Sequence, residues 1–119
     1  MANVAFFGPG KMGEHMAGHL LGAGHKVVVV AHRDRGPVER LLARGAREAG
    51  TAADAAAQSD IAVMVLPTAV EVEERLFAPS GVVSGMRRGY IAVDMGTSYP
   101  PDTRRLAARF ADAGGTLID

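Results

Sequence analysis

Unbroken apolar runs along this chain alternate with segments whose apolar residues recur at helical spacing. The runs predict strands at 3–7, 27–31, 61–66 and 90–93, with a last one beginning at Thr116-Leu-Ile. Runs without polar alternation are what parallel strands buried on both faces require. Between them, Met12, Met16, Leu20 and Leu21 form one helical stripe that Ala23-Gly24 ends. Pro37 opens a second helix whose apolar face is Val38, Leu41 and Leu42, stopping near Gly45. Thr51, followed three residues later by Asp54, reads as a helix start for the alanine-rich stretch to about Gln58. Further helices are expected at 70–77 and, introduced by Pro100-Pro101, through about Ala113, with a turn at Pro79-Ser80-Gly81. Alternating strands and helices imply right-handed crossovers and a parallel sheet covered on both faces. No internal repeat, linker or low-complexity tract interrupts residues 1–119, so one α/β domain is expected.

The junction of the first strand and first helix carries the strongest chemical signal. Asn3-Val-Ala-Phe-Phe breaks directly into Gly8-Pro9-Gly10-Lys11-Met12-Gly13, a G-x-G-x-x-G turn. Gly8 allows a tight turn, Gly10 lets a pyrophosphate approach the main chain, and Gly13 lets the helix sit close to the strand. The helix N-terminus then offers unpaired N–H groups and about half a positive charge to an anion. With a strand before it and a helix and second strand after it, the turn predicts a dinucleotide site in a Rossmann-type, doubly wound, three-layer domain. The alternative for the same glycines is a merely structural turn, since the chain holds 15 glycines.

Composition narrows the function class. The chain has no cysteine, which excludes a disulfide framework, thiol catalysis and zinc–cysteine sites. Thirteen basic and thirteen acidic residues cancel, leaving no field to attract nucleic acid, and the few aromatics give single strands no stacking platform. No apolar run reaches the roughly 18 residues of a membrane span and no signal-peptide pattern opens the chain, so the expected compartment is the cytoplasm.

The end of the second strand bears on which dinucleotide. NAD-preferring domains place a carboxylate there for the ribose 2′-hydroxyl. Here the strand ends Val30-Ala31-His32-Arg33, without a carboxylate at its tip. Arg33 offers a planar cationic fork to a 2′-phosphate, with His32 and Arg35 able to help. Asp34 lies one step past the usual acidic place. The expected cofactor is NADP in preference to NAD, against a reading of Arg33 and Arg35 as solvated loop charges.

At this point the sequence resembles the N-terminal domain of the β-hydroxyacid dehydrogenases, the family of 3-hydroxyisobutyrate dehydrogenase and tartronate semialdehyde/glyoxylate reductases. Phe7-Gly-Pro-Gly-Lys-Met-Gly13, Met16-Ala17, Leu20 and Ala23-Gly24-His25-Lys-Val27 resemble the family's opening. Val65-Leu66-Pro67 resembles its L-P turn, which lines the nicotinamide side. Val93-Asp94-Met95-Gly96-Thr97-Ser98-Tyr99-Pro100 resembles its V-D-x-S-T-x-x-P segment, and Gly96 stands where the family has serine. The resemblance implies that Leu66, Pro67 and Thr97 join the glycine turn, His32 and Arg33 at the cofactor. It also implies that a serine-glycine-glycine substrate loop, a catalytic lysine and a helical dimerisation domain would follow Asp119. A small hydroxyacid would bind only with that part present, and the chain is expected to be a truncated piece. Lys11 and Lys26, the only lysines, lie in the cofactor half and are not carried over as catalytic.

The remaining candidates have plainer readings. His15 and His19 are four apart on one helix, yet no third ligand is evident, and surface histidines are expected rather than a metal site. Glu71, Glu73, Glu74 and Arg75 read as a solvated helix face, Arg104-Arg105 as helix-edge charges, and Met12 as core packing whose backbone touches cofactor. Imine reductases and 6-phosphogluconate dehydrogenase begin similarly and stay open as alternatives, as does a non-catalytic nucleotide-binding or interaction module. Helical surface left bare by the missing part is expected to promote homo-oligomers.

Overall fold

The computed structural model describes residues 1–8, 10–30, 35–96 and 99–119. Among them the elements run β1 (Asn3–Phe7), α1 (Lys11–Gly22), β2 (Lys26–Val30), α2 (Arg35–Ala43), β3 (Arg47–Ala49), α3 (Ala52–Ala57), β4 (Ile61–Met64), α4 (Ala69–Phe77), α5 (Val82–Gly85), β5 (Ile91–Asp94), α6 (Pro100–Asp112) and β6 (Thr116–Ile118). The six strands pair in the order β3-β2-β1-β4-β5-β6, every pair parallel. This is the Rossmann-type doubly wound sheet, and its order reverses direction between β1 and β4.

Alternate residues of β1 serve opposite faces. Phe6 packs with Val27 and Val29 against Ala17 of α1 and Val38 and Leu41 of α2. Ala5 and Phe7 belong to the larger core, with α3 (Ala52, Ala55, Ala56), α4 (Val72, Leu76) and α6 (Leu106, Phe110). Both layers of helices are therefore built on one strand pattern. Buried polar groups are matched: the Ser59 hydroxyl lies 2.8 Å from the Ala55 carbonyl and 2.7 Å from the Tyr90 hydroxyl. Burial pushes the Tyr90 phenol up to about 12.

The structure departs from the sequence reading in several places. The chain forms β3 and α5, which no apolar pattern announced; Arg47 and Glu48 of β3 are exposed and only Ala49 is buried. An edge strand with one covered residue carries no apolar run to detect. The strand expected over 61–66 closes at Met64, and α4 begins at Ala69 because the Thr68 side chain accepts from the Glu71 N–H. On α1 the fully buried residues are Gly13, Ala17 and Gly18, while Met16, Leu20 and Leu21 are only partly covered. Met12, expected to pack first, is 69% exposed. A helix held this close to the sheet has room beneath it only for small side chains.

One half-face of the sheet is only partly covered by the described residues. α1 and α2 cover β1 to β3, whereas the same face of β4 and β5 leaves Ile61, Val63, Ile91 and Val93 half-buried, beside an exposed Ile118. Among the described residues, the exposed large apolar ones are Met12 of α1, Val70 of α4, Ile118 of β6 and, outside the elements, Met1, Met95 and Tyr99.

Glu73 is not simply part of a solvated face. It accepts from Arg105 and Arg109 of α6 at 3.0–3.3 Å, which ties α4 to α6. The Arg105 guanidinium holds the Glu73 carboxyl below the usual carboxylate range. Arg105 is therefore a cross-helix partner rather than a free edge charge.

Candidate dinucleotide-binding site

The C-terminal ends of β1 and β4 lie side by side at the point where strand order reverses, the place where open α/β sheets form a crevice for ligands. The three glycines of the turn do different things there. Gly8 has φ +90°, a left-handed conformation that only glycine adopts at no cost. A Cβ on it would sit 2.1 Å from the Val65 carbonyl oxygen, so the chain just past β4 also leaves no room for a side chain. The Gly10 N–H donates to the Gly8 carbonyl at 2.8 Å, and the Glu14 N–H donates to the Gly10 carbonyl at 2.7 Å as the first helical bond. A Cβ on Gly13 would lie 2.1 Å from the Gly8 carbonyl oxygen and 3.2 Å from the Phe6 ring. The first turn of α1 is thereby seated directly on the end of β1.

Gly10 behaves oppositely. Its φ of −81° and ψ of −167° suit any residue, and among the described residues nothing lies within 4 Å of where its Cβ would be. None of the described residues requires glycine here by contact. Gly10 is also the N-cap of α1 and supplies no side-chain cap. The first N–H groups of a helix have no intrahelical acceptor, and the positive end of the helix dipole lies with them. Such a helix start suits an anion such as a pyrophosphate. Lys11 and Met12, both exposed, stand on that first turn.

The loops after β4 and β5 form the neighbouring rim. The Val65 N–H donates to the Phe7 carbonyl at 3.0 Å and the Met95 N–H to the Met64 carbonyl at 2.8 Å, so strand-like pairing continues past the ends of β1, β4 and β5. Leu66 is buried and Pro67 is exposed. The buried Asp94 carboxylate accepts the Gly96 N–H at 2.9 Å. A Cβ on Gly96 would come within 2.5 Å of the Leu66 carbonyl oxygen. Gly96, where the resembling family has serine, therefore lets the two loops approach backbone to backbone. The resemblance marked the position; only the packing shows what the exchange does.

Of the residues singled out in the sequence, Gly8, Gly10, Lys11, Met12, Gly13, Leu66 and Pro67 gather along this edge. Pro9, His32, Arg33 and Thr97 lie outside the described residues, as do Asp34 and Ala31. Arg35 has partners of its own: it makes a forked pair with Glu48 of β3 and a second contact with Glu39 at 3.1 Å. Those carboxylates raise the Arg35 pKa further, and Arg35 in turn holds Glu48 below the usual carboxylate range. The pair fastens the start of α2 to the sheet edge.

Comparison with known proteins gives a consistent result. The family described as the NAD binding domain of 6-phosphogluconate dehydrogenase matches residues 3–119. The 2-hydroxy-3-oxopropionate reductase of Escherichia coli is 36% identical over 117 residues, covering 98% of this chain and 39% of its own. A structure of Mycobacterium tuberculosis 3-hydroxyisobutyrate dehydrogenase with L-serine superposes with a TM-score of 0.86 at 29% identity, covering 98% of this chain and 39% of that one. A structure of Psf3 in complex with NADP+ and 2-OPP gives a TM-score of 0.88 at 27% identity, covering 98% and 41%. The chain spans about 40% of the length of the curated relatives it matches.

Proposed function

This chain belongs to the family of the NAD binding domain of 6-phosphogluconate dehydrogenase, as a nicotinamide-dinucleotide-binding domain of β-hydroxyacid dehydrogenase type, and we propose that it serves as the NADP(H)-binding part of an enzyme that interconverts a small β-hydroxyacid and its oxo acid or semialdehyde. The observation that carries the binding role is the space before Gly10, where no described residue comes within 4 Å of the Cβ position.

In this reading Gly8, Pro9, Gly10, Lys11, Met12 and Gly13 hold the pyrophosphate, and Leu66, Pro67 and Thr97 border the nicotinamide. When bound, the nicotinamide supplies a hydride acceptor or donor at its ring carbon. Backbone N–H groups of the first α1 turn orient the anion. The close-set loops at Leu66 and Gly96 limit how far the ring side can spread. No residue of this chain is assigned as the proton-transferring acid; its part is binding and orientation.

The preference for NADP rests on Arg33 and His32 at the end of β2, where a carboxylate would repel a 2′-phosphate and a guanidinium would pair with it. The structural neighbour in complex with NADP+ accords with this preference. Calorimetric titration with NADPH and, separately, NADH tests both levels. NADPH is expected to bind at least about tenfold tighter, a difference of about 1.4 kcal/mol, with Arg33→Ala removing the difference. Equal binding of both would overturn the NADP preference alone, and failure of both to bind would overturn the binding role.

A second proposal concerns partners. The partly covered half-face of β4 and β5 is apolar and continuous across paired residues, Ile61 with Ile91 and Val63 with Val93. Two copies that bury this face against each other remove it from water at about 25 cal/mol per Å². Light scattering at high concentration is expected to give a mass above that of one chain, and a clean monomer would refute self-association.

A further inference from the structure

We infer that His15 and His19 form a two-imidazole chelate for a divalent transition-metal ion on the outer face of α1. The two residues are four apart on one helix, both are exposed, and their Nε2 atoms lie 3.1 Å from each other. The rings meet edge to face, with centroids 4.5 Å apart at 83°. Two ring nitrogens this close share a single proton: one ring donates its Nε2–H and the other accepts with its lone pair. A metal ion takes the place of that proton between them. The donating ring passes its proton to its own Nδ1 by tautomer exchange, so both Nε2 lone pairs become ligands and no net proton is released.

The spacing suits this substitution. Imidazole nitrogens sit about 2.0–2.1 Å from zinc, and two of them bound at 90–110° to one ion are about 2.8–3.4 Å apart. The observed separation falls inside that interval, so side-chain adjustment is confined to ring rotation. Imidazole donors favour zinc, nickel and copper over magnesium or calcium. The groove beside the pair, about 540 Å³, is lined also by Gly18, Gly22, Ala23 and Arg44, and its small residues leave space for water to complete the coordination. No group of three or more candidate ligands exists among the described residues, so the protein supplies two ligands and solvent the rest. Arg44 opposes the ion by charge, but it is turned onto the Gly18 carbonyl at 3.2 Å, and the open groove screens it. The inference is independent of the dinucleotide reading.

Untagged chain is titrated with zinc chloride and with nickel chloride in the absence of nucleotide, followed by calorimetry and thermal unfolding. The expected result is one ion per chain and a thermal midpoint that climbs with metal concentration, because an ion held across one helical turn binds the folded state. His15→Gln and His19→Gln are each expected to weaken binding at least tenfold and to abolish the rise in midpoint. Both side chains are exposed, so each variant should unfold at the wild-type temperature without metal. His25→Gln, away from the pair, should bind as the wild type does. Binding that survives both His15→Gln and His19→Gln, or that follows His25 instead, overturns the site, as does a stoichiometry well below one.

Discussion

Gly13→Ala is expected to lower the stability of the domain and abolish dinucleotide binding together. The added methyl would lie 2.1 Å from the Gly8 carbonyl oxygen, against a contact distance that real Cβ atoms keep above 3.0 Å. The obstacle is backbone, and the Phe6 ring at 3.2 Å closes the other side. α1 must therefore lift from the end of β1, and the core around Phe6, Ala17 and Val29 opens with it. Overpacking of this kind costs about 1–3 kcal/mol and sometimes more. For a domain of 119 residues each kcal/mol moves the unfolding midpoint by about 4 °C, so a fall of about 4–12 °C is expected by calorimetry. A midpoint unchanged from wild type would mean that the helix is not seated on the turn as described.

Gly10→Ala, three residues earlier, should do the reverse. Its backbone angles suit alanine and its Cβ would meet none of the described residues within 4 Å, so the unfolding midpoint is expected to stay within about 2 °C of wild type. Binding should nonetheless fall about 30-fold or more, roughly 2 kcal/mol, because the methyl stands where the pyrophosphate would reach the main chain. Gly10→Val should remove binding altogether. Retained affinity in a folded Gly10→Ala protein would show that the anion does not approach there. The two substitutions separate a glycine needed by the fold from one needed by the ligand, the division of roles that the motif leads one to expect.

Much of this was legible along the chain. The apolar runs located five of the strands because a central parallel strand is buried on both faces and must be written in apolar residues. The Thr51 cap was readable from its spacing, and its hydroxyl accepts the Asp54 N–H at 3.1 Å. The glycine turn was readable because a strand, a tight turn and a helix start are properties of neighbouring residues. Less visible was β3, whose exposed Arg47 and Glu48 give no period. The stripe on α1 held for Met16, Leu20 and Leu21, which pack against the core, and failed at Met12, which is exposed on the first turn.

The sequence by itself determined the alternation of elements, the parallel sheet and the position of the phosphate-binding turn, since each follows from residues within a few positions of one another. Only the tertiary structure decided which atoms crowd each glycine, because that depends on Val65 arriving beside Gly8 and on the Gly8 carbonyl arriving beside Gly13. It also decided that Gly96 admits the Leu66 carbonyl, that Arg35 belongs to Glu48, that Glu73 bridges to α6, and that β4 and β5 keep one face only partly covered by the described residues. These are contacts between segments far apart in the chain, and no local pattern of residues encodes which segments the fold will bring together.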